Sequence, residues 1–134
     1  MTQDLFKCDS LKLAEEAVKI LIEKKGIDVR LYDVRETSAI TDFYINVTGR
    51  SSLQVSSLAD DVDFKLSERG VNPGRIEGKR GNSWLLVDYM DVIINVFDKE
   101  ARSFYDFERL LPKESLVDIQ YLVEEVDKKL GINN

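Results

Sequence analysis

The chain has 134 residues, of which 43% are hydrophobic and 33% charged, a size and composition typical of one soluble globular domain. No apolar run is long enough to span a bilayer and no signal-peptide pattern opens the chain, so the sequence predicts a cytoplasmic protein that is not bound to a membrane. The net charge of −6 disfavours direct binding to nucleic acid, and the absence of histidine removes the commonest proton-transfer group and metal ligand.

Two further features of the composition bear on function. An acidic surface suits a basic protein partner, and ribosomal proteins are the largest cytosolic pool of these, although acidity that only keeps the protein soluble accounts for the charge equally well. Cys8 is the single cysteine, which excludes a disulfide within the chain and a cysteine-based zinc site. We assign no function to Cys8 and expect neither a metal nor a cofactor.

The first half of the chain predicts a helix, two strands and a second helix. Hydrophobic periodicity places these elements at Ser10, as N-cap, to about Lys25, at 28–34, at Asp42–Thr48 and at about Leu53 to Glu68. Gly26 and Gly70 follow the two helices and are predicted to end them. Phe64 falls opposite the apolar face of the second helix, which favours an isolated surface aromatic or a contact with the first helix over a partner contact.

The second half of the chain predicts an antiparallel meander and two helices. The strands are predicted at Arg75–Lys79, Ser83–Tyr89 and Val92–Asp98, and the helices at Lys99–Leu111, ended by Pro112, and at Leu116–Leu130, capped by Ser115 and ended by Gly131. The buried side of the helix at 99–111 is predicted to consist of Phe104, Phe107 and Leu110 or Leu111.

The order of these elements predicts a single layered α/β domain with a mixed sheet of about five strands flanked by helices. The helical crossover between the second and third strands implies at least one parallel pair. We expect residues 1–112 to form this domain and the amphipathic helix within 113–134 to pack on it or extend it.

A weak candidate for phosphate binding lies where the second strand meets the second helix. Gly49-Arg50-Ser51-Ser52 offers backbone amides, a helix N-terminus and one basic side chain. One glycine and two serines are also what a turn and an N-cap need, and capping is the favoured interpretation. Asp33, Glu36 and Asp42 bracket the preceding loop, but their spacing specifies no site.

Gly49 followed by Asp61 and Asp63 resembles the pattern of nucleotidyltransferases, in which two carboxylates hold magnesium ions over a triphosphate. Those carboxylates alternate along a strand, whereas Asp61 and Asp63 are predicted in a helix, where they point about 200° apart and toward solvent. A solvated helix face is therefore favoured, and a nucleotide-binding or nucleotidyltransferase-like enzyme is the alternative function.

The segment Trp84–Leu111 is the strongest candidate for function, because its polar residues interrupt an apolar pattern at particular positions. Strand alternation places Trp84, Leu86 and Asp88 on one face and Leu85, Val87 and Tyr89 on the other. Asp88 is expected at the sheet margin, because an unpaired buried carboxylate is costly. An acidic and aromatic rim suited to protein binding is expected to include Trp84, Asp88, Tyr89 and Asp91, with Trp84 in the ordinary core as an equally good interpretation. Recognition is favoured over catalysis, since the segment holds no nucleophile, metal cluster or phosphate loop.

Short motifs along the chain resemble those of one known family. They are Asp33-Val34, Thr41-Asp42-Phe43-Tyr44, Thr48-Gly49-Arg50-Ser51, Gln54-Val55, Arg75-Ile76-Glu77-Gly78, Trp84-Leu85-Leu86-Val87-Asp88-Tyr89, Asp91-Val92, Val96-Phe97, Arg102-Ser103-Phe104-Tyr105 and Glu108-Arg109-Leu110. In this order and spacing they resemble the Iojap-related ribosome silencing factor family. The resemblance runs from about Leu11 to Leu111, with the C-terminal helix outside it.

The resemblance implies an α/β fold similar to nucleotidyltransferases but without their catalytic carboxylates, and hence a non-enzyme. It implies binding to the large ribosomal subunit through its universal protein fourteen, steric prevention of small-subunit joining, repression of translation, and a homodimer when the protein is free. The residues that it implies in partner binding are Trp84, Asp88, Tyr89, Met90, Asp91, Arg102 and Tyr105.

This chain departs from the family pattern at three positions. The family usually has Gly, His and Trp where this chain has Met90, Asn95 and Leu111. Met90 predicts a turn without a positive φ at that position and adds an apolar side chain to the rim.

Overall fold

The computed structural model describes residues 9–78 and 80–131, so Cys8 lies outside the described residues. The helices are α1 (Ser10–Glu23), α2 (Ser52–Ser67), α3 (Lys99–Tyr105) and α4 (Gln120–Leu130), and the strands are β1 (Ile27–Asp33), β2 (Phe43–Gly49), β3 (Arg75–Gly78), β4 (Trp84–Asp88), β5 (Val92–Asp98) and β6 (Leu116–Val117). Short 3₁₀ turns lie at Arg80–Asn82, Phe107–Leu110 and Lys113–Ser115. Among the helices of these ranges, none is long and apolar enough to cross a membrane.

The strands form one mixed sheet in the order β3-β4-β5-β2-β1-β6. β2 and β5 are parallel, from Phe43 opposite Val92 to Gly49 opposite Asp98, and the other neighbouring pairs are antiparallel. The predicted α/β domain with a mixed sheet and a helical crossover is therefore confirmed. The short strand β6 adds a sixth strand to the five expected.

The two faces of the sheet differ in what covers them. One face packs against α1 and α2, with α4 packed on α1, and forms the main core. The largest fully buried side chains there include Leu21, Phe43, Ile45, Leu58, Leu66, Ile94 and Leu122. The opposite face carries the buried polar residues Asn46, Thr48 and Asn95 and is covered in part by α3 and the turn at Phe107–Leu110. The apolar face supplies most of the stabilisation, and the polar face positions the candidate site.

The ends of α1 differ from the prediction in two details. Asp9 is the N-cap, since its Oδ1 accepts from the Lys12 N–H at 3.2 Å, while the Ser10 hydroxyl donates to Asp42 Oδ2 at 2.7 Å. Lys25, with φ of 68°, takes the left-handed conformation that ends the helix. Gly26 serves close packing, because a Cβ there would lie 2.6 Å from Val47 Cγ2. Gly70, with φ of 80°, does end the α2 segment in the left-handed conformation, as predicted.

The C-terminal segment begins with a strand where a helix was predicted. Leu116 and Val117 pair with Tyr32 and Leu31 of β1, and Ser115 lies in a 3₁₀ turn with its hydroxyl donating to Pro112 O. The prediction that Ser115 caps the last helix is wrong. Helix α4 starts only at Gln120 and packs on α1 through Leu122 and Val126, with three cross-helix polar contacts: Tyr121 to Glu15, Lys19 to Glu125 and Lys129 to Glu23.

Candidate functional site

The face of the sheet opposite the main core carries a row of aromatic side chains. Trp84 of β4 lies between Phe97 of β5 and Tyr105 of α3, with ring centroids 4.9 and 4.8 Å away. Phe107 lies 6.3 Å from Trp84, and Phe104 contacts Tyr105 edge-on at 5.0 Å. We define the aromatic face as Trp84, Leu86, Phe104, Tyr105 and Phe107.

The outer part of the aromatic face is open to solvent. Phe104 is 80% exposed and Tyr105 38% exposed. A shallow depression of about 270 Å³ is lined by Glu77, Gly78, Trp84 and Leu86. Trp84 packs on the buried Phe97, as the core interpretation predicts, and also borders this depression. Grouped exposed apolar side chains of this kind mark interaction surfaces more often than isolated ones do.

A chain of buried amides holds the indole of Trp84 in place. Trp84 Nε1 donates to Asn95 Oδ1 at 3.0 Å, and Asn95 Nδ2 donates to Asn46 Oδ1 at 3.0 Å. Both asparagines are almost fully buried. Asn95, one of the departures from the family pattern, thus orients the indole from below the sheet face.

Beneath α3, Arg102 forms the densest polar cluster of this face. Its Nε and Nη2 donate to the two carboxylate oxygens of Glu108 at 3.1 and 2.7 Å, a bidentate ion pair. Its Nη1 donates to Thr48 Oγ1 at 2.8 Å and to Asp28 O at 2.9 Å. The Tyr32 hydroxyl also donates to Glu108, at 3.2 Å. We call Arg102, Glu108, Tyr32, Thr48 and the Asp28 carbonyl the Arg102 clamp.

The clamp spans a sharp change of chain direction after α3. Asp106 has φ of 48° and ends α3 after Tyr105, so the helix predicted to continue to Leu111 is wrong in its second half. Phe104 within α3 and Leu110 beyond the break both point outward, where they are 80% and 67% exposed. The prediction that Phe104 is buried is therefore wrong. Of the two alternatives Leu110 and Leu111, Leu110 is exposed and Leu111 is partly buried. Phe107 packs on the sheet against Tyr44 at 5.1 Å.

The β4–β5 turn at the other end of β4 is held by Asp88. Its Oδ1 accepts from the Met90 N–H at 2.7 Å, and its Oδ2 pairs with Arg75 Nε at 3.3 Å. Met90 has φ of 76°, so the prediction of a turn without a positive φ is wrong. The carboxylate that accepts the Met90 amide holds a non-glycine residue in a conformation that glycine adopts more readily.

We therefore expect Met90→Gly to raise the free energy of unfolding by about 0.5 to 1 kcal/mol, because it removes the left-handed strain of a residue with a Cβ. Met90 is 70% exposed, so little packing is lost with its side chain. Urea unfolding of Met90→Gly beside Met90→Ala, which keeps the Cβ, measures the effect. Equal stability of the two variants would contradict the assignment of strain to this position.

Comparison with known proteins places this fold in a family. The model of the family described as "Ribosomal silencing factor during starvation" matches residues 7–131. The chain belongs to the ribosomal silencing factor family. The match includes the C-terminal helix, which lay outside the resemblance drawn from the sequence.

Members and relatives of this family align with most of the chain. Ribosomal silencing factors from Haemophilus influenzae and Bacillus subtilis are 36% and 31% identical, over 75% and 83% of this chain and 98% and 92% of their own lengths. The chloroplastic protein Iojap of Zea mays is 25% identical over 84% of this chain and 49% of its own length.

Two solved structures share the fold. A crystal structure from Chromobacterium violaceum has a TM-score of 0.73 and 33% identity, covering 77% of this chain and 86% of that one. A crystal structure from Bacillus halodurans has a TM-score of 0.66 and 32% identity, covering 81% and 95%.

The structure divides the seven residues that the family resemblance implies into three groups. Met90, Asp91 and Tyr105 are exposed, whereas Trp84 and Asp88 are partly buried. Trp84 and Asp88 lie four residues apart, about 13 Å along β4, so the single rim expected at the turn is wrong. Tyr89 is only 7% exposed and faces the main core, and the Arg102 side chain is only 10% exposed. The expected exposure of Tyr89 is therefore wrong, and burial raises the pKa of its hydroxyl, with a smaller effect of Asp63.

Sequence reasoning did not find Glu108, Tyr32 or Asn46 as parts of the site. Asn46 carried a signal, since it is a polar residue between Ile45 and Val47 in an otherwise apolar strand. Its Oδ1 accepts from Asn95, whereas its Nδ2 has no hydrogen bond among the described residues. Asn46 also faces Glu108 and helps to lower the pKa of that carboxyl, although no atom pair between them meets hydrogen-bond geometry.

The pKa of Glu108 controls how the clamp responds to acid. Burial disfavours the charged carboxylate, but the hydrogen bonds and charge of Arg102, with smaller contributions from Asn46 and Tyr32, outweigh burial and hold the pKa below its ordinary value of 4.5. Arg30 also lies close enough to interact electrostatically with Glu108.

Because the folded pKa is the lower one, this stabilisation is complete well above pH 4.5 and is lost as the pH falls through 4.5 toward the folded pKa. We therefore expect Glu108→Gln to be less stable than wild type near neutral pH and the gap to shrink on acidification from about pH 6 to about pH 3. Thermal unfolding of both proteins over this range measures the gap. A gap that does not change with pH would contradict the lowered pKa.

The strand–turn–helix junction after β2 has a structural explanation. Ser51 Oγ accepts from the Gln54 N–H at 3.2 Å, and the Arg50 N–H donates to Gln54 Oε1 at 2.7 Å, so the predicted cap is confirmed. Gly49 is required by packing, because a Cβ there would lie 2.8 Å from the Val55 nitrogen. The residues of this junction thus have structural roles that need no phosphate.

The remaining carboxylates considered as candidates have separate partners or separate positions. Asp61 and Asp63 lie on α2, as predicted, and Asp63 accepts from the Ser67 hydroxyl at 3.2 Å. Asp33 pairs with Arg35 at 2.7 Å, and this contact holds the pKa of Asp33 below its usual range. Within the described ranges, no group of three His, Cys, Asp or Glu side chains is arranged to hold a metal ion.

Proposed function

We propose that this chain binds the large ribosomal subunit in the cytoplasm, through the basic universal large-subunit protein fourteen, and sterically blocks joining of the small subunit. Translation is then repressed without a chemical step. The observation that carries this proposal is the exposed aromatic face on a member of the ribosomal silencing factor family, in a chain of net charge −6.

The geometry of the face suits a basic protein partner. Phe104 and Tyr105 offer apolar area that is available without unfolding, and rings of this kind dominate the free energy of protein interfaces. Glu77 lies at the edge of the depression beside Trp84, and Asp91 is exposed at the far end of the hairpin. Carboxylates around an apolar centre favour basic partners and speed their association.

We further propose that the free chain is a homodimer and that the second copy covers the aromatic face. Dimers then dissociate before they bind the subunit, so the observed association rate per chain falls as the protein concentration rises. Stopped-flow association at several protein concentrations tests this part of the proposal independently of affinity.

Co-sedimentation and subunit joining test the main proposal. Wild-type protein is expected to sediment with purified large subunits and to reduce joining when it is added before the small subunit. Purified small subunits alone are the matched control and are expected to leave the protein in the supernatant. Sedimentation with small subunits, or unchanged joining at saturating protein, would contradict the proposed mechanism.

A further inference from the structure

We infer that Arg102 and Glu108 are positioning residues of the recognition surface, which hold α3 and the turn at 107–110 so that Tyr105 and Phe107 stay packed against Trp84. The inference rests on the proposed function, because the surface that they position is the one proposed to bind the ribosomal partner. It replaces the expectation, drawn from the family resemblance, that Arg102 itself contacts the partner.

The first support is the burial and saturation of Arg102. Its side chain is 10% exposed, and Nε, Nη1 and Nη2 all donate hydrogen bonds within the clamp. To engage this guanidinium, a partner would have to break a bidentate ion pair and leave the partly buried Glu108 carboxylate without its counter-ion. Burial and saturated hydrogen bonding therefore disfavour direct contact between Arg102 and the partner and favour a role in fixing the surrounding backbone.

The second support is the position of the clamp around Asp106. Arg102 precedes Tyr105 and Glu108 follows Phe107, so the ion pair closes the chain across the residue with φ of 48°. A left-handed non-glycine residue persists only where its surroundings hold it. Tyr105 and Phe107, which lie on either side of this residue, both pack toward Trp84.

The third support is a second route from the clamp to Trp84 through the sheet. Glu108 faces Asn46, Asn46 accepts from Asn95, and Asn95 accepts from the Trp84 indole. The ring stack above the sheet thus joins the clamp to the indole, and the hydrogen-bonded amides within the sheet lead from Asn46, which lies beside Glu108, to the same indole. Release of the clamp is expected to loosen Trp84 from both sides.

The experiment uses Trp84 as its reporter, because it is the only tryptophan of the chain. Arg102→Met removes the ion pair, and the double variant Arg102→Met with Glu108→Leu removes it without leaving a buried charge, which preserves a foldable protein. In both variants we expect Trp84 emission to shift to longer wavelength, acrylamide quenching to rise about twofold and affinity for the large subunit to fall about tenfold. Arg102→Lys keeps the positive charge but loses the planar guanidinium that donates two hydrogen bonds to Glu108. Its emission wavelength, acrylamide quenching and subunit affinity are expected to lie between those of wild type and Arg102→Met.

Val126→Ala is the control for lost stability alone. Val126 is buried in the α1–α4 contact on the other face of the sheet, so this variant is expected to unfold more easily while Trp84 emission and subunit affinity stay those of wild type. Equal changes in Val126→Ala and the clamp variants would overturn the inference, as would clamp variants that bind subunits normally. If wild type itself fails to sediment with subunits, the proposed function fails, and Trp84 emission still decides whether the clamp positions the aromatic face.

Discussion

Phe104→Ala is expected to weaken binding to the large ribosomal subunit by roughly thirtyfold, or about 2 kcal/mol, with the free energy of unfolding changed by less than about 0.5 kcal/mol. Phe104 is 80% exposed, so its ring contributes little to the fold, and a partner that covers it gains most of the ring's apolar area. Sedimentation with increasing subunit concentration gives the affinity, and urea unfolding gives the stability.

The chain offers a matched control for Phe104. Phe64 is an equally aromatic and similarly exposed side chain, at 65%, but it lies on α2, on the opposite side of the sheet. Phe64→Ala is expected to bind subunits as wild type does. Loss of binding in Phe64→Ala with normal binding in Phe104→Ala would move the recognition surface to α2 and contradict the proposal for the aromatic face.

Local patterns predicted the regular elements well, because those elements follow hydrophobic periodicity. The strand predicted at Val92–Asp98 has the bounds of β5, and that predicted at Asp42–Thr48 is displaced from β2 by one residue at each end. Each lies at the centre of the sheet, where burial on one face fixes the register. The mixed sheet and its helical crossover followed from the order of these elements alone.

The elements that were missed depend on contacts between residues far apart in the chain. β6 has two residues and exists because it pairs with β1, a contact that periodicity does not encode. Asp106 ends α3 where the sequence continues with helix-compatible residues. Arg102 donates to Thr48 and to Asp28 O, residues more than 50 positions earlier in the chain. Tertiary contacts override local preference at such positions.

At the candidate site, the local sequence pattern agrees with the structure for the burial of Tyr89 and disagrees with it for Phe104. Strand alternation had already placed Tyr89 on the face of Val87, so its burial agrees with the local pattern and not with the family resemblance. Phe104 was assigned to the core from a helical period extended over 13 residues, whereas α3 has only seven. The exposure of Phe104 could be recognised only once the structure showed that α3 ends at Tyr105.

Gly49→Ala is expected to lower the free energy of unfolding by about 3 kcal/mol, because an added Cβ overpacks the contact between β2 and α2. The Cβ would lie 2.8 Å from Val55 N, 2.9 Å from Val55 Cγ2 and 3.1 Å from Val55 Cα. Two of these atoms belong to the helix backbone, which cannot move aside as a flexible side chain can. The urea midpoint is expected to fall with an unchanged m-value.

Gly74→Ala is the matched control, since its Cβ would meet only Asp88 O, at an ordinary 3.6 Å. Its stability is expected to stay within about 0.5 kcal/mol of wild type. The two variants also distinguish a packing role from a phosphate-binding role for the β2–α2 junction. A Gly49→Ala protein that stays as stable as wild type, together with heat of binding for a magnesium nucleoside triphosphate in wild type alone, would favour the nucleotide-binding alternative. A stability loss without such heat assigns Gly49 to the close approach of β2 and α2.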